Sequence, residues 1–158
     1  MDPSSIPVPA DLAHASLTDT QRLVYHVVDA GWSAGTVGGT VLGLASGLLR
    51  GGMARRVPTG ALVGGVVGMG VAGAMVGAQL EGMMPTREGS IPLDAFGIKD
   101  RVDRIAINTL VRGKNGGCMA GLVVGAVLGM GSRVGAAKGG ALGSAIGTVV
   151  GAALFQSL

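Results

Sequence analysis

Charged side chains are confined to short segments of this chain, and four long stretches contain none. The charge-free stretches run over 30–49, 57–80, 115–132 and 139–158, with lengths of 20, 24, 18 and 20 residues. About 20 consecutive, mostly apolar residues carry a helix across the hydrocarbon core of a bilayer. The pattern therefore predicts four membrane-spanning helices. Buried helices of a water-soluble bundle would each keep a polar face toward solvent, whereas these stretches exclude charge from every side. Helix is the conformation expected there, because in lipid each backbone N–H and C=O must be satisfied within the segment.

Glycine recurs within these stretches in steps of four. The first carries Gly31, Gly35, Gly39, Gly43 and Gly47; the second carries Gly60, Gly64 and Gly68, then Ala72, with Gly73 and Gly77 on a neighbouring stripe. The third carries Gly117, Gly121, Gly125 and Gly129, and Gly135, Gly139, Gly143, Gly147 and Gly151 run along the fourth. Residues four apart share one helix face, so each span presents a groove free of side chains. Lipid tails are as apolar as leucine, and helices in a bilayer associate by close backbone approach at such small-residue stripes. A compact, GxxxG-packed bundle follows, without the polar lining that a channel needs.

The segments between the stretches predict two further helices. Thr18 or Asp19 can cap a helix over 18–29, which brings Leu23, Tyr25, His26 and Val27 toward the membrane. Tyr25 and Trp32 are the aromatic residues expected to anchor it at the interface. In the long loop 81–114, a stretch at about 96–110 places Ile98, Val102, Ile105 and Thr109 on one face, away from Lys99, Asp100, Arg101, Asp103 and Arg104. That is the pattern of an interfacial helix leading into the third span. The expected fold is an all-α membrane protein: an N-terminal interfacial segment at 1–29, then one four-helix transmembrane domain at 30–158.

Composition narrows the reading further. Of 158 residues, 31 are glycine and only 13 % are charged, against about 7 % glycine and about 25 % charged in ordinary domains. Low charge and 48 % apolar residues exclude a disordered chain, and one cysteine, Cys118, excludes a disulfide framework. Of the glycines, 24 fall inside the charge-free stretches, so they read as packing surfaces rather than flexible linker. The first loop holds Arg50, Arg55 and Arg56, and the third holds Arg133 and Lys138, with no acid in either. Short basic loops face the cytoplasm or matrix, which puts both termini on the other side. The N-terminal residues are acidic and proline-bearing, unlike a transit or signal peptide.

Residues for chemistry are sparse. His14 and His26 have no cysteine or carboxylate completing a metal set around them, and Cys118 has no neighbouring base and is expected to pack as a small residue. Gly68, Gly70 and Gly73 spell a GxGxxG string, but in mid-span, without the preceding strand that a dinucleotide site requires. No basic run interleaved with aromatics marks a nucleic-acid surface, and no ionisable group sits mid-span to relay protons. No catalytic residue, cofactor, metal or small-molecule substrate is expected; membrane lipid, including bound phospholipid, is the ligand such a chain invites.

Around the third span, Arg112-Gly-Lys114-Asn115 followed by Ala120-Gly121-x3-Gly125 resembles the R-x3-D-x6-[GAS]-G-x3-G signature of the preprotein and amino-acid transporter family. That family contains the channel subunits of the mitochondrial inner-membrane translocases. The spacing here is three residues shorter, Gly116 stands at the aspartate position, and Arg101 stands at the upstream aromatic position. Gly116-Gly117-Cys118-Met-Ala-Gly121-Leu122-Val-Val-Gly125-Ala126 looks similar to the third span of one branch, an accessory membrane subunit of respiratory complex I, the NADH:ubiquinone oxidoreductase. The resemblance implies a multi-pass protein of the mitochondrial inner membrane, with both termini in the intermembrane space. It also implies a non-catalytic role that stabilises the membrane arm through contacts with other subunits of a large hetero-oligomeric complex. A protein import or insertion translocase is the alternative within the family, and an unrelated glycine-zipper membrane protein is the alternative outside it.

Overall fold

The computed structural model describes residues 17–83 and 93–156. Among them the chain forms five helices and no strands: α1 (Asp19–Arg50), α2 (Met53–Leu80), α3 (Ala95–Ile107), α4 (Thr109–Met130) and α5 (Ala136–Gln156). Residues 1–16, with His14 and most of the expected N-terminal segment, and 84–92 of the long loop lie outside the described residues.

Helix α1 starts where the sequence offers a cap. Thr18 Oγ1 accepts from Gln21 N at 3.3 Å, and Gln21 Oε1 accepts from Thr18 N at 2.9 Å, a reciprocal capping box. The helix then runs unbroken for 32 residues, so the expected interfacial segment and first span are one rod. It ends at Gly51 and Gly52, with φ of 73° and 79°, a left-handed conformation that glycine adopts without steric cost. This two-residue link folds α2 back along α1. A second turn, through Gly131–Gly135, folds α5 back along α4, and ends α4 two residues earlier than the third charge-free stretch suggests.

The two hairpins are the intimate pairs of the structure; α5 also touches α1 and α2, and α4 meets α1 at a few positions. Asp29 of α1 lies level with Asn115 of α4, and Ser33 level with Cys118. Both pairs sit early in their helices, so α1 and α4 run parallel and both turns lie at the same end.

Helix α3 lies against the N-terminal turns of α1. Asp94 caps it, accepting from Gly97 N at 2.8 Å. Buried Ile98 and Val102 pack on Leu23, with Val27, Leu80, Leu93 and Ile105 around them. Thr109 does not continue that face. Asn108 leaves the helical region at φ −82°, ψ 103°, and its side chain accepts from Val111 N at 3.1 Å, so Thr109 begins α4 instead and is exposed. The apolar face of α3 is thus covered by the protein's own helices; Phe96 and Ile107, at its two ends, are its large apolar side chains left exposed.

Among the described residues two helices, not four, are long and apolar enough to cross a membrane: α2, and α5 over Ala136–Phe155. Ser33, Thr36, Thr40 and Ser46 dilute α1, and Lys114 and Asn115 dilute the start of α4. Only 17 % and 33 % of the most apolar stretches of α2 and α5 are buried.

Candidate functional site

The glycine stripes of α1 and α2 face each other in antiparallel register. The Cα–H bonds of Gly31, Gly35 and Gly39 point at the carbonyls of Gly68, Gly64 and Gly60, and the reverse contacts run from Gly60, Gly64 and Gly68. Each step of four on one helix meets a step of four on the other. Towards the turn, Gly43 lies over Val57 and Gly47 over Met53, where an added Cβ would fall 2.9 Å from either Cα. Helices α4 and α5 repeat the arrangement with Gly117, Gly121 and Gly125 facing Gly147, Gly143 and Gly139. Cβ contacts are essentially never shorter than 3.0 Å, so a side chain at any of these positions requires the backbones to part. Cα–H···O contacts of this kind recur at close helix interfaces and contribute about 0.5–1 kcal/mol each.

Three stripe positions depart from expectation. Gly135 has φ 80° and an added Cβ there would meet nothing, so it is a turn residue whose carbonyl faces Gly129, not a helix-face residue. Gly77 is open, and Gly73 has only the Val28 side chain of α1 nearby, at 3.9 Å, so the neighbouring stripe on α2 makes no close backbone contact. Gly113 extends the α4 stripe by one step: it is buried under Phe155, and Gly151 faces its carbonyl. The period of four reaches Gly113, but the flanking Arg112 and Lys114 place it outside the charge-free stretch. Of the motif residues, Gly121 and Gly125 lie on the α5-facing side, Ala120 is exposed, and Arg112 is half-buried near the start of α4. The string Gly68, Gly70, Gly73 lies inside continuous helix.

Between the hairpins lies a buried polar cluster that sequence reasoning missed. The largest fully buried side chains among the described residues are Thr36, Cys118, Ser33 and Ser144. Trp32 Nε1 donates to Ser144 Oγ at 2.9 Å, tying α1 to α5. Cys118 Sγ lies 3.1 Å from Ser144 Oγ and 3.5 Å from Ser33 Oγ. The Ser33 hydroxyl is placed to donate to Asp29 O at 2.9 Å or to Cys118 Sγ at 3.5 Å, and the Ser144 hydroxyl to Cys118 O at 3.2 Å. Ser144 Oγ then accepts from both the indole and the thiol. Thr36 and Thr148 return their hydroxyls to Ser33 O and Ser144 O, at 3.0 and 2.8 Å. The Trp32 ring lies on Gly65 of α2, where an added Cβ would sit 2.7 Å from it. Half-buried Trp32 therefore bridges three helices, α1, α2 and α5. The signal in the sequence was a set of small polar residues, Ser33, Thr36, Ser144 and Thr148, inside otherwise apolar stretches.

Above the cluster, the start of α4 meets the first turns of α1. With its amide nitrogen facing the acceptors, Asn115 donates to Asp29 Oδ2 at 3.0 Å and to Val111 O at 3.2 Å. His26 is half-buried here, and burial, then the charge of Lys114, lowers its pKa from the usual histidine value. Tyr25 is raised, by burial first and then by Asp29. The described residues bring no three metal-ligating side chains together.

Chemically, the arrangement fastens helices: glycine faces allow contact within each hairpin, and the Trp32–Ser144–Cys118 group joins the two. The hydrogen bonds of Cys118 and Ser144 run to hydroxyls, a carbonyl and an indole rather than to the general base that a serine or cysteine nucleophile uses. Comparison with protein-family models, with curated proteins and with solved structures finds no match to this chain.

Proposed function

We propose that this chain is a non-catalytic structural subunit of a membrane complex, a four-span bundle whose hairpins close by GxxxG-type packing. One observation carries the reading: most large aliphatic side chains lie on the outside, while small polar ones are buried between the helices. The largest fully buried side chains among the described residues are Ser, Thr and Cys, beside the small Ala61 and Ala141, the buried Val76 and the group of Leu23, Ile98 and Val102. By contrast, Leu42, Leu48 and Leu49 of α1, Val63, Val67 and Val71 of α2, Val123, Val127 and Leu128 of α4, and Ile146, Val149 and Leu154 of α5 are exposed. In water so many exposed aliphatic side chains would be unusual, since soluble monomers rarely expose contiguous apolar patches beyond a few hundred Å². In lipid they are the expected exterior. Helices α1 and α4 join α2 and α5 in the membrane because their polar side chains are internally satisfied: Thr40 and Ser46 return their hydroxyls to Thr36 O and Gly43 O, at 2.7 and 3.1 Å, and Asn115 bonds Asp29. Hydrogen bonding of this kind is what makes polar residues tolerable in a spanning helix.

Within that class, the Gly116–Ala126 resemblance favours an accessory subunit of the mitochondrial respiratory NADH:ubiquinone oxidoreductase. The chain would stabilise its membrane arm in the inner membrane, with the Arg-bearing turns in the matrix and other membrane subunits and lipid as partners. The test is native electrophoresis of mildly solubilised membranes that contain the chain. Co-migration with NADH dehydrogenase activity is the expected result. Migration with small intermembrane-space chaperones would replace it by the translocase reading, and migration alone by an unrelated glycine-zipper protein.

A further inference from the structure

We infer that the end of the bundle carrying both hairpin turns binds anionic phospholipid headgroups. Arg50, Arg55 and Arg56 surround the first turn, and Arg133 and Lys138 the second. The parallel course of α1 and α4 brings the two turns to one end. Every described carboxylate lies at or toward the other end: Asp19 and Asp29 near the start of α1, Glu81 after α2, and Asp94, Asp100 and Asp103 around α3. None of the five cations forms an ion pair among the described residues, whereas Arg22, Lys99 and Arg104 at the opposite end do. Arg56 Nε donates to Gly51 O at 2.9 Å, which draws its guanidinium over the turn and leaves the terminal nitrogens to other acceptors.

What adjoins the cations identifies the anion. Leu48, Leu49 and Met53 are exposed beside the first turn, and Leu128 and Met130 beside the second. A phosphate held by arginine therefore has apolar helix surface directly beneath it, where acyl chains lie. The aromatic side chains, Tyr25, Trp32, Phe96 and Phe155, sit toward the opposite end, so the cap has nothing on which nucleic-acid bases could stack. The inference rests on the membrane reading and adds the lipid class that one leaflet must supply. Each Lys or Arg near an anionic surface strengthens attraction by about fivefold, an effect confined to about one Debye length.

The experiment reconstitutes the full chain in nanodiscs of phosphatidylcholine alone and of phosphatidylcholine with phosphatidylglycerol, and counts retained lipids by native mass spectrometry after extraction. The expected result is preferential retention of phosphatidylglycerol, abolished at about 1 M salt. The pair Arg55→Gln and Arg56→Gln should weaken it about thirtyfold, and Arg133→Gln with Lys138→Gln similarly, whereas Arg101→Gln with Arg104→Gln should leave it unchanged. The salt titration uses the unaltered chain and so stands even if a variant misfolds. Equal retention of both lipids, or a preference indifferent to salt and to the four substituted cations, would overturn the inference. Displacement of the lipid by inorganic phosphate alone would overturn the choice of lipid over free phosphate. Failure of the chain to enter phosphatidylcholine discs at all would overturn the membrane reading beneath it.

Discussion

Replacing Gly143 by alanine and comparing it with Gly116→Ala isolates the backbone contact from every other effect of the same substitution. Both glycines are helical, in α5 and α4. At Gly116 an added Cβ meets nothing within 4 Å. At Gly143 it would run into the carbonyl of Gly121 and sit 2.9 Å from the Cα of Gly125. An inserted methyl in a close-packed site costs about 1–3 kcal/mol. Parting the backbones also opens the contacts one step either side, Gly117 with Gly147 and Gly125 with Gly139, at about 0.5–1 kcal/mol each. Alanine returns about 1 kcal/mol of helix propensity. The net expectation is a loss of about 1–4 kcal/mol for Gly143→Ala, against neutrality or a gain of up to about 1 kcal/mol for Gly116→Ala. Reversible unfolding in mixed micelles, followed by circular dichroism, gives both values. If the two variants unfold together to within about 0.5 kcal/mol, the stripes do not set the distance between α4 and α5.

Three further outcomes follow from the buried cluster and its surroundings. A double-mutant cycle on Trp32→Phe and Ser144→Ala should give a coupling energy of about 1 kcal/mol, as for interhelical hydrogen bonds in membranes; no coupling would show that the hairpins are joined elsewhere. Cys118 is fully buried, so it should resist a maleimide in the folded protein and react once the bundle is denatured; rapid labelling of the folded chain would contradict the packing. The pH dependence of His26 has a definite sign: because burial and Lys114 lower its folded pKa, the unfolded chain takes up the proton first. Its contribution to stability is complete above the unfolded value of about 6.5 and is lost as pH falls toward the folded value. His26→Gln should remove that part of the acid destabilisation, and a profile identical to that of the unaltered chain would refute it.

Much of the architecture is legible because glycine has a period. Steps of four from Gly35 to Gly47 and from Gly117 to Gly129 name the touching faces, and antiparallel hairpins fix which glycine meets which. The face of α3 is equally legible in Ile98 and Val102. Harder to read is anything that depends on one side chain choosing between two partners. Asn108 ends α3 because its side chain caps α4, which no apolar spacing reveals, and Thr109 moves off the predicted face as a result. Trp32 matches an interface anchor in type and position, yet its N–H finds Ser144, 112 residues away. The Ser33–Cys118–Ser144 group is invisible to a search for catalytic sets, since its members serve packing. Gly135 keeps the glycine period while taking the left-handed conformation of the turn.

The central claim, that these helices cross a bilayer with both turns on one side, is tested most directly by cysteine mapping. Single cysteines are placed on a Cys118→Ala background at Arg55 and Ser132 in the turns, at Thr18 and Asn108 at the opposite end, and at exposed Val67 and Val124 in mid-helix. Sealed membrane vesicles are then treated with an impermeant maleimide before and after permeabilisation. The account predicts that Arg55 and Ser132 share one accessibility, that Thr18 and Asn108 share the other, and that Val67 and Val124 stay unlabelled until the membrane is dissolved. Labelling of Val67 or Val124 in intact vesicles, or opposite sidedness of Arg55 and Ser132, would contradict it.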